Sequence, residues 1–302
     1  MSLMRGSREG LLLGVALDAL LGDPRRGHPV AAFGQVARWL EERLYADSRG
    51  RGVLYTGVLV GGVAAAGFLV ETLTPRWARV GVTAIATWAV LGGTSLGREG
   101  LVMARALEAG DIGRARARLS HLCARDPEGL NEAGLARATV ESVAENTSDA
   151  AVAPLVWGLV GGVPGLLAYR AANTLDAMVG YRNPRYERFG WASARLDDVL
   201  NWLPARLTGL LVVACSGGRA WKVFRRDGGA HPSPNAGRCE AAFAGALGVR
   251  LGGVNAYGGR VETRPEMGDG RPPEVGDVRR AVRLSALVTA AAGVLVYAAG
   301  RR

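Results

Sequence analysis

Glu141-Ser-Val-Ala-Glu145-Asn146-Thr-Ser-Asp149-Ala and, further along, Asn173-Thr-Leu-Asp176-Ala carry the same Asn-Thr-x-Asp-Ala phrase twice. Between the two, residues 150–169 hold no charge and are broken by Gly161-Gly162-Val163-Pro164-Gly165, midway between Asp149 and Asp176. A straight helix would keep the two carboxylates ~40 Å apart at 1.5 Å per residue. Gly accepts positive φ and Pro removes a helix donor, so the cluster predicts a reversal. The expected result is a central helical hairpin, with both phrases at one level and an apolar tip. In each phrase Asn and Asp share a helix face, and Glu141, Glu145 and Asp149 extend that face, with Arg137 one turn earlier. Stacked carboxylates repel unless a cation intervenes. A solvated acidic stripe neutralised by Arg137 is the plain alternative. The repeat, the Asn partners and the apolar flanks favour a Mg²⁺ or catalytic carboxylate site. A second acidic pair follows in Arg195-Leu-Asp197-Asp198-Val-Leu-Asn201-Trp202.

The 302 residues carry 37 Lys+Arg against 27 Asp+Glu, a net charge of +10 with Lys222 the single lysine. That balance suits nucleic acid, anionic substrates or an anionic membrane face. Aromatics are sparse and no basic run is interleaved with them, which excludes a nucleic-acid platform. Cys123, Cys215 and Cys239 stand apart without any C-x-x-C, so neither a disulfide framework nor a zinc site is expected. Apolar residues make up 49% and mean hydropathy is positive. The charge-free runs 52–70, 80–97, 150–169 and 284–300 approach the roughly 20 residues a membrane span needs. Residues 199–218 are a poorer candidate, interrupted by Asn201, Pro204 and Arg206. The fold class expected is therefore all-α, a polytopic helical integral membrane protein with a central hairpin and a polar cytoplasmic segment. One membrane domain over 1–302 is expected. If 150–169 enters and leaves on one face and 199–218 does not cross, nearly all Lys and Arg fall on one side. Basic loops stay cytoplasmic, so that side is the cytoplasm and the acidic phrases face it.

Elsewhere the chain offers further candidates. His28 lies in the Gly/Pro/Asp loop Gly22-Asp23-Pro24-Arg25-Arg26-Gly27-His28-Pro29 and is either a loop hydrogen-bonder or a substrate contact. In Arg125-Asp126-Pro127, Asp126 suits an N-cap with Pro127 at the first helical position. Arg125 is then a phosphate clamp or one half of a surface ion pair with Asp126 or Glu128. His231-Pro-Ser-Pro-Asn235-Ala-Gly237 leads into a helix from Arg238 to Leu247, closed by Gly248, whose N-terminus suits either a phosphate or ordinary capping. Two glycine pairs bracket Asn255-Ala-Tyr257, and 260–277 reads as a surface loop.

Taken in order, these motifs resemble the CobD/CbiB family of cobalamin biosynthesis. The likeness rests on Glu141 to Asn146 with Asp149, on Asn173-Thr-Leu-Asp176-Ala-Met-Val-Gly180-Tyr181, and on Phe189-Gly190. It continues through Ser193-Ala-Arg195-Leu-Asp197-Asp198, Asn201, Pro204-Ala-Arg206, Ser233-Pro-Asn235-Ala-Gly237 and Asn255-Ala-Tyr257-Gly258-Gly259. Gly22-Asp23-Pro24 and His28-Pro29 also fit, so the resemblance covers nearly the whole chain. It implies an adenosylcobinamide-phosphate synthase in the cytoplasmic membrane. Such enzymes join adenosylcobyric acid to (R)-1-aminopropan-2-ol, or its O-phosphate, with ATP as co-substrate.

A carboxylate does not condense with an amine in water. It must first become an acyl phosphate or an acyl adenylate, which calls for Mg²⁺ on the nucleotide phosphates and for cationic residues. There is no G-x-x-x-x-G-K-[ST] loop, so direct nucleotide binding would rely on Arg side chains and helix N-termini. Asp149 and Asp176, supported by Asn146 and Asn173, are the expected Mg²⁺ ligands. Glu141 or Glu145 is the expected base for the attacking ammonium, with Asp197 and Asp198 beside them as catalytic acids. Arg195 and Arg206 are expected to hold phosphate bidentately, with His28 and Asn235 as further substrate contacts. Two rivals stand beside this reading. An Asp-rich membrane transferase of a diphosphate normally needs a second Asp four residues along, which neither phrase offers. A transporter of inverted repeats is the other, although only five residues repeat visibly here.

Overall fold

The computed structural model describes residues 7–23, 27–257 and 260–299; residues 24–26, 258–259 and Gly300, which enter the sequence reading, lie outside these. In chain order the helices begin with α1 (Arg8–Leu21), α2 (Pro29–Leu44), α3 (Arg49–Leu73), α4 (Arg79–Val90), α5 (Gly93–Glu108) and α6 (Ile112–Leu119). They continue with α7 (Glu132–Thr147), α8 (Ala153–Val179), α9 (Trp191–Cys215), α10 (Trp221–Asp227), α11 (Ala236–Leu247) and α12 (Val275–Ala299). Strands β1 (Leu251–Tyr257) and β2 (Arg260–Met267) lie between α11 and α12. Among the described residues, five helical stretches are long and apolar enough to cross a membrane: α3, residues 76–108, residues 132–179, α9 and α12. The protein is a helical, polytopic membrane protein. Its chain divides into two compact units, Met1–Gly92 with Ala153–Asn201 and Ala292–Arg302, and Gly93–Val152 with Trp202–Ala291.

In the first unit, small residues let helices approach closely. Gly10 and Gly14 of α1 lie beneath Thr83 and Thr87 of α4, where a Cβ would overlap the threonine side chains. Close backbone approach at small residues is how helices gain packing energy in lipid, where no hydrophobic force acts between them. Within α8 the chain turns back. Gly162 adopts φ 62°, ψ −148°, a conformation that costs a residue with a Cβ heavily. A Cβ on Gly165 would strike the carbonyl of Trp157, and one on Gly158 would lie 2.9 Å from Leu166 Cδ2. Residues eight apart on a straight helix are ~12 Å apart, so the two arms are antiparallel. The Gly/Pro cluster makes the hairpin that the sequence predicts, and α3 packs against its tip with Gly67 over Pro164.

α9 corrects the sequence reading of 199–218, since the helix runs unbroken through Asn201, Pro204 and Arg206. Pro204 has no N–H to give the carbonyl one turn earlier. That carbonyl, Leu200 O, instead accepts from Trp157 Nε1 at 2.9 Å, so the proline leaves no orphaned acceptor.

In the second unit, α7 packs against α5, α6 and α11. Asp126 does not cap a helix: the N-cap is Asn131, whose side chain accepts from Gly134 N, and α7 starts at Glu132. Residues around Asp126 are held by long-range pairing instead, with Asp126 N donating to Ala256 O at 2.9 Å. Nor is 260–277 a loop throughout, because β2 pairs antiparallel with β1 from Leu251↔Met267 to Tyr257↔Arg260. A bulge between Leu251 and Gly253, with positive φ at Gly252 and Gly253, re-aims the backbone there. α11 begins two residues before Arg238 and ends, as expected, at Gly248 in the left-handed region.

Candidate functional site

The acidic face of α7 is largely enclosed. Glu141 is 4% exposed and both its oxygens are taken. Oε2 accepts from Arg125 Nη2 at 2.5 Å, and Oε1 accepts from Gly252 N at 2.7 Å. The β1 bulge supplies that second donor. Arg125 is thus neither a phosphate clamp nor half of a surface pair: it is buried, and its partner is Glu141. Arg137 Nη2 reaches Val254 O at 2.7 Å and Asn255 Oδ1 at 3.0 Å, which ties α7 to β1. Glu141 therefore ties α7 to Arg125 and to the β1 bulge. One turn on, Glu145 is half-buried, with the charges of Arg264, Glu141 and Arg125 around it.

Two more titratable groups join this cluster. Glu240 on α11 is 2% exposed; burial, then the charges of Glu141 and Glu145, hold its carboxyl well above the usual range. His231 has its Nε2 3.9 Å from Glu240 Oε1, and its Nδ1 accepts from Ser233 N at 3.0 Å. Burial and the nearby Arg264 guanidinium lower the imidazole to about 4, so it is neutral at pH 7. Asn235, the N-cap of α11, is buried without a side-chain cap bond.

The first Asn-Thr-x-Asp phrase does not stay on an α-helix. α7 ends at Thr147, and Ser148–Val152 forms a π-helical turn. Asn146 Nδ2 donates back to Ser142 O at 2.9 Å. Asp149 sits inside the π turn, so the i, i+4, i+8 stripe expected with Glu141 and Glu145 is displaced at its last member. Such turns recur at functional sites.

The second phrase belongs to the other unit and is regular helix. Asn173 Nδ2 donates to Asp197 Oδ1 at 3.3 Å, and Tyr169 OH to Asn201 Oδ1 at 2.8 Å. The hairpin's second arm and α9 thus share a polar seam. Arg195 Nη1 pairs with Asp198 Oδ2 at 3.3 Å, so the adjacent acids have different partners. Gly180 ends the arm, and any Cβ there would overlap Asp176 Oδ1. The glycine keeps that carboxylate's position open. His28 is the N-cap of α2, its Nδ1 accepting from Val30 N at 3.1 Å, which is the loop-bonding role weighed for it. Arg206 stacks on Trp202 at 4.0 Å and donates to Trp202 O at 2.7 Å.

Sequence reasoning left out Glu240 and His231 as site residues and misplaced Arg125. A signal for Glu240 exists: apart from Arg238 and Glu240 itself, Ala236 to Leu247 is apolar and mostly Ala and Gly, which predicts a helix buried on most of its surface and hence a buried acid. Among the described residues, no three His, Cys, Asp or Glu side chains form a ligand group. Asp149 and Asp176 each offer one half-buried carboxylate with an amide three residues earlier. The two belong to different units, and each by itself is the kind of hard oxygen donor that Mg²⁺ takes, one or two carboxylates at a time, with phosphates and water completing its shell.

Comparison with known proteins identifies the family. The family described as CobD/Cbib protein matches residues 11–285, a span that contains every candidate residue above. The cobalamin biosynthesis protein CobD of Mycobacterium tuberculosis (strain CDC 1551 / Oshkosh) is 54% identical over 95% of this chain and 93% of its own. That of Geobacter metallireducens is 47% identical over 87% of each chain, and that of Rhodobacter capsulatus 42% over 91% of each. No solved structure matches. The chain belongs to the CobD/CbiB family of cobalamin biosynthesis.

Proposed function

We propose that the chain is an adenosylcobinamide-phosphate synthase, joining a carboxylate of adenosylcobyric acid to the amine of (R)-1-aminopropan-2-ol or its O-phosphate. Family membership across the span that holds all the candidate carboxylates carries this reading. The substrate carboxylate attacks ATP and becomes an acyl phosphate or acyl adenylate, releasing ADP or diphosphate. The amine then attacks the acyl carbon and expels phosphate or AMP. Before attack the ammonium must lose a proton, and Glu145 is the residue assigned to take it. Asp149 and Asp176 would hold Mg²⁺, which neutralises nucleotide phosphate charge when bound. Asn173, bonded to Asp197, orients the second-arm seam beside Asp176, and Gly180 leaves that carboxylate room. Arg195 is exposed and assigned to phosphate. These groups are assigned to the cytoplasmic face of the cell membrane, where ATP is found.

Feeding a deletion strain tests the step. Rescue by cobinamide but not by cobyric acid is expected. Rescue by both would place the block upstream, and rescue by neither would place it downstream. A strain deficient only in corrinoid uptake would favour the transporter reading.

A further inference from the structure

A cavity lies in the first unit, at the hairpin tip rather than at the acidic phrases. It has a volume of about 690 Å³ and is bounded by α3, the start of α4, both arms near Gly161 and Pro164, and Leu200 of α9. Tyr169, the lining residue nearest Asp176 in sequence, is seven positions from it, or ~10 Å along a helix, and neither Asp176 nor Asp197 lines this cavity. Its size falls within the roughly 300–1,000 Å³ of small-molecule sites.

The walls are almost wholly apolar, and they open through residues that face outward from the protein: Phe68 is 47% exposed and Val160 60%. Both lie on segments apolar enough to be membrane-embedded. One end differs from the rest. Glu71, near the C-terminus of α3, and Arg79, the first residue of α4, both line the cavity. They flank the tight turn that joins the two helices. Trp77 in that turn is 86% exposed beside Arg76, and Trp with Arg marks headgroup depth. The charged end therefore lies at the interface, while the cavity reaches about two turns deeper, to Ala64.

Glu71 caps the second arm, its Oε2 accepting from Val163 N at 3.2 Å. That single bond leaves acceptor capacity on a carboxylate facing an apolar groove, which is costly without a cation. Arg79 Nε donates to Thr74 O at 3.4 Å, and Glu71 and Arg79 make no direct ion pair. An acid and a base held apart at headgroup depth, above an apolar slot, match a ligand with an ammonium, a phosphate and an acyl chain.

We propose that this groove binds one zwitterionic, amine-bearing glycerophospholipid of the phosphatidylethanolamine type. Its ammonium sits on Glu71, its phosphate on Arg79, and one acyl chain runs along Phe68 and Ala64 between α3 and the hairpin. The lipid would fix the hairpin tip from the membrane side, whatever reaction the acidic phrases perform.

The test uses the full chain in nanodiscs of equimolar phosphatidylethanolamine and phosphatidylglycerol, extracted into mild detergent and weighed intact by native mass spectrometry. One retained phosphatidylethanolamine per chain is expected, with at least fivefold less in Glu71→Gln and in Arg79→Gln. Gly161→Leu places a side chain where a Cβ meets nothing within 4 Å. It should expel the lipid without touching the charged pair, so it keeps the test valid if Glu71→Gln misfolds. Equal retention of phosphatidylglycerol, unchanged retention in Gly161→Leu, or no retained lipid would each overturn the assignment.

Discussion

The two Asn-Thr-x-Asp phrases are the same word in different structural settings. The first ends α7 and passes into a π turn, among acids whose charge is met by buried guanidinium groups and backbone N–H. The second lies on a regular arm of the hairpin, where Asn173 bonds to Asp197 and Gly180 clears space beside Asp176. One carboxylate is aimed by a change of helix type, the other by the absence of a side chain. Identical short motifs thus fix which groups are presented, while the packing around each decides how they are aimed.

The largest expected effect tests whether the two settings serve one purpose. Asp149→Asn and Asp176→Asn should each lower amide synthesis at least ~100-fold while leaving membrane insertion intact. A loss below threefold in either would remove that residue from the site. Next is the division between Glu141 and its neighbours. Breaking a buried, hydrogen-bonded pair costs about 3–5 kcal/mol, so Glu141→Gln should unfold the protein at a markedly lower temperature. Glu145→Gln should instead abolish activity in a stable protein, and the reverse pattern would exchange their roles. Gly180→Ala should cost roughly 10–100-fold in activity by displacing the Asp176 carboxylate, with little change in melting temperature.

Smaller effects concern His231, before α11, and its neighbour Glu240 on that helix. His231 is held neutral down to about 4 in the fold, against 6.5 for the free group. Below pH 6.5 the unfolded chain therefore binds a proton that the folded one refuses. Stability must fall as pH drops from about 6.5 towards 4, by on the order of 3 kcal/mol. His231→Asn keeps an acceptor for Ser233 N and should flatten that slope in denaturant titrations. Burial and the charges of Glu141 and Glu145 push the Glu240 carboxyl up, towards its neutral form, and Gln mimics that form, so Glu240→Gln should change stability by less than ~1 kcal/mol near neutral pH. A loss comparable to Glu141→Gln would show that Glu240 is ionised.

Much of this was legible in the residues. Helical hydropathy and the Gly/Pro break are local signals, and they placed the hairpin and the apolar helices. What escaped depends on partners far along the chain. β1 and β2 are rich in Gly, Pro and charge and look like loop. They become strands because Glu141 and Arg137 of α7 hold the β1 bulge, a dependence on tertiary context that strand propensity does not carry. Asp126 looks like a cap until its N–H is spent on Ala256. Pro204 looks like an interruption until Trp157 takes the acceptor that it frees. The π turn at Ser148–Val152 has no marker in Ser-Asp-Ala-Ala-Val, so the displacement of Asp149 could not be read. In the site, the carboxylates were found by repetition, whereas His231 and Glu240 stand alone in sequence and meet only through the fold.

The central claim is that the substrate carboxylate is activated by nucleotide before an amine attacks it. It is tested most directly by supplying the reconstituted protein with ATP, the amine and adenosylcobyric acid whose free carboxylate carries heavy oxygen. The account predicts one labelled oxygen in the phosphate or AMP released for each amide formed, and no amide without ATP. Amide formation that leaves the label entirely out of the phosphorus-containing product would contradict it.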